Sequence, residues 1–120
     1  MKQDLKERTY KFGLDLILLL KENPPPSWAW TITRQLPRCA ASVGANYNSS
    51  KRGRSAREFI SKLGVCEEEA DESIHWLRLV RDSGYLTHEQ VAPLIDEASE
   101  LVAIFVASIK TARKNLPPSK

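Results

Sequence analysis

Helix-breaking residues are confined to a few places, and this placement constrains the fold more than any other feature. Five of the seven prolines form two clusters, at residues 24–26 and 117–118, and glycine occurs only five times. Between these breaks, apolar residues recur at steps of three and four, the period of an amphipathic helix. No segment alternates with period two for long enough to predict a strand. The sequence therefore predicts an all-α protein.

Start and stop signals divide the chain into four helices. Capping boxes, in which a side chain and a backbone amide bond reciprocally, are predicted at Ser55 with Glu58 and at Thr87 with Gln90. Gly84 suits a left-handed helix end. The predicted helices cover about residues 2–22, 28 or 31 to near 50, 55–82 and 87–115. Pro37 predicts either a kink in the second helix or a later start.

Short connections between these helices predict an antiparallel up-down four-helix bundle, formed by one domain over residues 1–120. The joint between the second and third helices falls at residues 50–54. Just before this joint, the second helix carries small residues that would allow another helix to approach closely. They are Ala40, Ala41, Gly44 and Ala45.

Composition and charge indicate the cellular compartment of the protein and the class of its binding partner. The net charge is +3 and the pI is about 9.0, which permits a nucleic-acid partner without requiring one. The first residues lack the apolar stretch of a signal peptide, and the longest apolar run, residues 16–20, is too short to span a membrane. We therefore expect a cytoplasmic protein without a membrane partner. Cys39 and Cys66 fall on apolar stripes and are predicted to be buried thiols rather than a disulfide.

A basic cluster at the predicted joint is the first candidate site. It consists of Lys51, Arg52, Arg54 and Arg57. Most of these cations adjoin the positive end of the third helix, where cations are unfavourable but where free amides and basic side chains suit a phosphate. Arg34 and Arg38 would extend the cluster into a stripe along the second helix. A charged turn that is merely solvated explains the cluster about as well, so both interpretations stay open.

Acidic residues at positions 67–72 raise a metal hypothesis, because Glu72 and His75 have the Glu-x-x-His spacing of di-iron bundles. The chain lacks a second such pair, so no metal or other cofactor is predicted. A solvated or intersubunit acidic face, paired with Arg78, Arg81 or a neighbouring subunit, is the favoured interpretation. No motif predicts catalysis. Trp28 and Trp30 are expected to cap the core, with base stacking as the alternative.

Several short motifs together resemble one family. They are Gln35-Leu36 with Arg38, Ser42-Val43, Asn46, Arg54-Ser55 with Glu58-Phe59, and Gly84-Tyr85-Leu86. In order and spacing they resemble the bacterial four-helix-bundle proteins encoded in intervening sequences of 23S rRNA genes. The same family includes the accessory variability determinant proteins of diversity-generating retroelements. The resemblance covers residues 5–116. It breaks at residues 47–50, where Tyr-Asn-Ser-Ser replaces the Ile-Ala-Glu-Gly of many members.

The resemblance implies a ring-shaped homopentamer with a basic surface that binds nucleic acid, RNA or DNA. In the retroelement branch it further implies a reverse transcriptase partner. The leading functional prediction is a non-enzymatic, oligomeric nucleic-acid-binding accessory protein, with Lys51, Arg52, Arg54, Arg57, Arg34 and Arg38 as its binding residues. The alternative is a protein–protein scaffold whose charged faces serve only self-assembly. A metal-dependent enzyme is the least favoured class.

Overall fold

The computed structural model describes residues 4–117 and contains four long helices. They are α1 (Leu5–Glu22), α2 (Trp30–Ser50), α3 (Ala56–Asp82) and α4 (His88–Lys114), with one 3₁₀ turn (Ser27–Ala29) before α2. No strand occurs within the described residues. The all-α prediction is confirmed.

Local hydrogen bonds explain where α1 and α4 begin. The Asp4 carboxylate accepts the amide of Glu7 at 2.9 Å, which satisfies one of the free amides in the first turn of α1. At the start of α4, the Thr87 hydroxyl accepts the amide of Gln90, and the Gln90 side chain accepts the amide of Thr87. The predicted capping box is complete. Gly84, which follows the end of α3, has the left-handed conformation that was predicted, with φ 84°.

Pro37 lies inside α2, so the alternative of a later helix start is wrong. The helix begins at Trp30 and continues past the proline to Ser50. Leu36, Cys39 and Ala40, next to the proline, are fully buried in the bundle. Tertiary packing of this apolar face therefore holds the helix together although Pro37 lacks an amide donor.

Each helix packs against its neighbour in sequence, and α1 also contacts α4. This is the predicted antiparallel up-down four-helix bundle. One apolar core runs through it, and its largest fully buried side chains are Phe12, Leu16, Leu36, Leu63, Leu77, Leu101 and Phe105. Within residues 4–117, no helix is both long and apolar enough to cross a membrane.

Small residues bring α1 and α2 into backbone contact. A Cβ atom added at Gly44 would lie 3.3 Å from the carbonyl carbon and oxygen of Thr9. On the facing helix, a Cβ atom at Gly13 would lie 3.3 Å from the Ala40 oxygen and the Ala41 Cα. The predicted close approach at the small residues of α2 is confirmed, and its partner is α1.

Candidate nucleic-acid interface

The joint between α2 and α3 is a tight turn that places its basic residues in solvent. The amide of Arg52 bonds to Ser49 at 3.1 Å, and the amide of Gly53 bonds to Ser50 at the same distance. A Cβ atom at Gly53 would lie 3.2 Å from the Ser50 oxygen, so a side chain there would crowd the turn. Because the turn closes within residues 51–54, the side chains that flank Gly53 point away from the core.

All four predicted cations of this joint are exposed. The Lys51 ammonium lies 5.4 Å from the centre of the Tyr47 ring, a cation–π contact. Arg54 is 92% exposed and approaches Glu58 at 3.7 Å. Such an exposed pair contributes at most about 1 kcal/mol and competes weakly with another anion. Within the described residues, Arg52 and Arg57 make no ion pair.

The predicted capping box at the start of α3 forms only in part. The Ser55 hydroxyl accepts the amide of Glu58 at 3.0 Å, as expected. The reciprocal bond from the Ser55 amide to the Glu58 carboxylate is absent, because that carboxylate turns toward Arg54. An N-cap serine satisfies one of the free amides in a first turn and leaves others for solvent or an anion.

Arg34 and Arg38 lie away from the turn cations. Both are exposed on α2, whereas Arg52 follows the end of that helix, and at 1.5 Å per residue about 20–27 Å of helix separates them from it. Arg38 pairs with Glu72 at 2.7 Å and with Glu69 at 3.4 Å. The structure therefore does not gather the six predicted binding residues into one site.

Arg34 instead contacts the segment Trp28–Trp30 at the start of α2. Its guanidinium lies 4.6 Å from the centre of the Trp30 ring. Trp28 and Trp30 are 59% and 61% exposed, so the expectation that they cap the core is wrong. The residue between them, Ala29, is fully buried and anchors the 3₁₀ turn. Anchoring by the small residue leaves both large rings in solvent.

Three further cations, missed in the sequence, lie at the same end of the bundle as the turn. Arg57 and Arg113 line one shallow depression together with Ile60. A second depression is lined by Glu67, Lys110, Arg113 and Lys114. The last turn of α4 meets the first turns of α3 because the two helices are antiparallel. The sequence signal for these cations was a basic helix end, which the helix macrodipole alone also favours.

We call this surface the basic end. It consists of Lys51, Arg52, Arg54, Arg57, Lys110, Arg113 and Lys114. It holds seven of the 18 Lys and Arg residues in the chain, with the Glu58 and Glu67 carboxylates beside them. The net charge of the whole chain is +3, but the charges are unevenly distributed over its surface. The basic end is the positive surface to which a polyanion could bind.

Some acidic residues of α3 already form ion pairs and hydrogen bonds with other side chains of the chain. The Glu72 carboxylate accepts hydrogen bonds from the Cys39 thiol, from Arg38 and from the Trp76 indole. These donors, the thiol first, lower the pKa of Glu72. His75 is exposed, and its ring and that of Trp76 are in a T-shaped contact. Among the described residues, no three His, Cys, Asp or Glu side chains are grouped to hold a metal.

Both cysteines are fully buried, free thiols, as predicted. Burial, and for Cys39 also the neighbouring Glu72 carboxylate, raises the pKa of each thiol from 9.0 to about 12. A thiol with so high a pKa stays protonated near neutral pH and is a poor nucleophile. Cys39 and Cys66 therefore contribute packing and one hydrogen bond each, to Glu72 and to the Val43 carbonyl, rather than reactivity.

The family model described as 23S rRNA-intervening sequence protein matches residues 1–107. This chain belongs to that family. The match confirms the family resemblance. Asn46, one of the residues on which that resemblance was based, donates its side-chain amide to the Ser42 carbonyl at 2.8 Å. Membership of the accessory variability determinant branch, with its retroelement, stays a prediction.

A solved structure has a fold similar to that of this 23S rRNA-intervening sequence protein. It is the crystal structure of a protein of unknown function from the S23 ribosomal protein family of Bacteroides thetaiotaomicron. The two chains are 25% identical and superpose with a TM-score of 0.78, over 89% of this chain and 99% of the other. No curated protein matches this chain. The shared fold extends across almost the whole of the solved relative.

Proposed function

We propose that this chain is a non-enzymatic, oligomeric nucleic-acid-binding accessory protein, and that the basic end is its phosphate-binding surface. One observation carries the proposal. Arg57 at the start of α3 and Arg113 in the last turn of α4, far apart in sequence, line the same exposed depression, at the end of the bundle where the α2–α3 turn also lies. Such clustering produces the local positive field that phosphate backbones recognise.

Helix electrostatics account for only part of this cluster. Arg113 and Lys114 lie in the last turn of α4, at its negative end, where cations stabilise a helix by typically 0.3–1 kcal/mol. Arg57 occupies the first turn of α3, at the positive end, where a cation is unfavourable. Self-stabilisation therefore does not explain Arg57, whereas an incoming phosphate would benefit from both Arg57 and the amides of that turn.

The proposed ligand is RNA or DNA, recognised mainly through its backbone. Arg and Lys side chains position a backbone without reading its bases. Within residues 4–117, the two depressions of the basic end are open to solvent, and neither encloses a base. We therefore expect binding that depends strongly on salt and weakly on sequence.

Assembly belongs to the same proposal. The family resemblance implies a homopentameric ring, and a ring would present several copies of the basic end to one strand, which multiplies weak contacts. Ring contacts are heterologous, so a basic surface of one subunit can meet acidic residues of the next. Multi-angle light scattering of the purified chain tests this: a monomer at micromolar concentration would contradict the ring.

A finer assignment, assistance to the reverse transcriptase of a diversity-generating retroelement, rests on the resemblance alone. The DNA beside the gene tests it. A reverse transcriptase gene with a variable repeat supports this branch, whereas a position inside a 23S rRNA gene supports the intervening-sequence branch.

The second candidate is a self-assembling scaffold without nucleic acid. It is favoured by the exposed apolar side chains of α1, among them Tyr10, Leu14 and Ile17, which are typical of a protein contact surface. Fluorescence anisotropy with labelled RNA and DNA separates the two candidates. Affinity that falls steeply as salt rises supports the nucleic-acid function, and no detectable binding at low salt leaves the scaffold.

A further inference from the structure

Two large aromatic rings, those of Trp28 and Trp30, lie in solvent at the start of α2. They are more than half exposed, although aromatic side chains dominate the energetics of cores and interfaces. Within residues 4–117, the Trp28 ring makes neither an aromatic pair nor a cation–π contact. Packing inside the chain therefore does not account for these rings, and they are a candidate contact for a molecule outside it.

The segment that carries the rings is fixed at several points. At its start, the Asn23 carbonyl accepts a hydrogen bond from the Tyr85 hydroxyl, and the Asn23 side-chain oxygen accepts one from the Gln90 amide at 3.3 Å. Three prolines follow at residues 24–26, and each restricts its own φ angle. Between the rings, Ala29 is fully buried and anchors the 3₁₀ turn. The backbone is thus preorganised, which reduces the conformational entropy that binding through the rings would cost.

Arg34 lies against one of the two rings. Its guanidinium is 4.6 Å from the centre of the Trp30 ring, and within residues 4–117 it makes no ion pair. The contact therefore positions an indole ring and a guanidinium plane side by side. Indole rings and guanidinium planes are the surfaces on which unpaired bases stack in proteins that bind single strands.

The charge of α2 suits a polyanion beside these rings. Neither Asp nor Glu occurs between residues 23 and 57, so Arg34 and Arg38 are the charged residues of this helix. Two α3 carboxylates that approach α2, those of Glu69 and Glu72, pair with Arg38 at 3.4 and 2.7 Å. A phosphate backbone that lies along α2 therefore meets no carboxylate of that helix.

The immediate surroundings of the rings favour a nucleic acid over a protein. The exposed residues beside them, Ser27, Thr31 and Arg34, contribute two hydroxyls and one cation. The centre of a protein interface is instead apolar and depleted of charge. Aromatic rings set among polar and cationic side chains are typical of surfaces that bind single strands. A duplex is a poorer ligand for such rings, because its bases are already stacked and paired.

We propose that Trp28 and Trp30 form a stacking platform for the unpaired bases of single-stranded RNA or DNA, with Arg34 as the residue that positions the Trp30 ring. The proposal rests on the nucleic-acid function proposed above. It adds a second contact, separated from the basic end by the 21 residues of α2, about 30 Å.

The two contacts would recognise different parts of one strand. The basic end binds phosphates, which single strands and duplexes share, whereas the platform binds bases that only a single strand exposes. Every base has a π face, so the platform confers a preference for unpaired strands rather than for a sequence. Because Arg34 contacts the Trp30 ring and not a phosphate, its removal should leave the salt slope of binding unchanged.

Two single-stranded probes of equal length and equal phosphate number test the platform. One is a labelled thymidine oligonucleotide, and the other is the same strand with abasic sites throughout. By fluorescence anisotropy, the wild type should bind the thymidine strand at least about fivefold more tightly, since one stacked base contributes about 5- to 150-fold in affinity. Competition by an unlabelled uridine strand then assigns the platform to RNA or to DNA. Equal affinities for the two probes overturn this proposal alone, whereas binding of neither probe overturns the proposed function as well.

Substitution of the rings separates stacking from apolar contact. Trp28→Leu with Trp30→Leu keeps apolar side chains but removes the π faces, so it should lose the preference for the thymidine strand and keep the affinity for the abasic one. Trp28→Tyr with Trp30→Tyr is the matched control and should retain the preference. Circular dichroism checks the fold, and light scattering checks the assembly. A leucine variant that keeps the preference overturns the proposal. A changed number of subunits would show that the rings contact another protein chain, which also overturns it.

Discussion

Arg57, in the first turn of α3, and Arg113, in the last turn of α4, line the same surface depression. Two like charges at this proximity repel each other unless an anion or solvent lies between them. The antiparallel packing of α3 and α4 enforces the arrangement. This relationship makes the basic end the strongest candidate for a phosphate contact.

Removal of the turn cations should weaken binding without unfolding the protein. In the variant Lys51→Ser, Arg52→Ser, Arg54→Ser and Arg57→Ser, the negative slope of log affinity against log salt should become shallower by about one for each lost phosphate contact, up to about four. Anisotropy titrations from about 50 to about 200 mM salt measure the slope. Circular dichroism is the folding control. A folded variant with the affinity and slope of the wild type would reduce the cluster to a solvated turn.

The cations of α4 should matter as much as their neighbours in the turn. Arg113→Ser with Lys114→Ser should reduce the magnitude of the salt slope by about two. Arg34→Ser with Arg78→Ser removes the same charge from exposed positions near the opposite end of the bundle, and its slope should stay near that of the wild type. Equal losses in the two variants would mean that net charge, rather than the basic end, drives the binding.

The α1–α2 contact should not tolerate a large side chain at Gly44. Gly44→Leu should lower the free energy of unfolding by about 1–3 kcal/mol, because any side chain there meets the Thr9 backbone. Gly64→Leu in α3 is the matched control. Nothing lies within 4 Å of a Cβ atom at Gly64, so the better helix propensity of leucine should leave stability unchanged or raise it. Urea denaturation measures both, and a Gly44→Leu protein as stable as wild type would refute the packing.

Alkaline pH should destabilise the bundle through its thiols. The folded-state pKa of Cys39 and of Cys66 is about 12, against 9.0 for an ordinary thiol. The stability contributed by the protonated thiols is therefore complete below pH 9.0. It is lost between pH 9.0 and about 12, because the unfolded chain releases these protons first.

The double variant Cys39→Ala with Cys66→Ala isolates this effect, since lysine and tyrosine titrate in both proteins. Chemical denaturation across the alkaline range should give a shallower loss of stability for the variant than for the wild type. Parallel pH profiles for the two proteins would show that the thiols ionise as easily when folded as when unfolded.

Local rules predicted much of the fold because they act within a few residues. The turn at Gly84, the Thr87 cap and the close approach at Gly44 each follow from one short segment and its period. The same rules were less reliable where two groups compete for one partner. Glu58 pairs with Arg54 instead of completing the capping box. Helix α2 continues past Pro37 because its apolar face is packed in the core.

By itself, the sequence determined four amphipathic helices, their order and the exposed cations of one turn, because hydrogen bonds, caps and apolar periodicity are fixed along the chain. Only the tertiary structure decided which side chains meet across helices. In the folded protein Arg38 forms an ion pair with Glu72, Trp28 and Trp30 are exposed to solvent, and Arg113 lines the same depression as Arg57. Those contacts depend on the rotation and relative height of packed helices, which the shape of the whole core sets and which no single segment encodes.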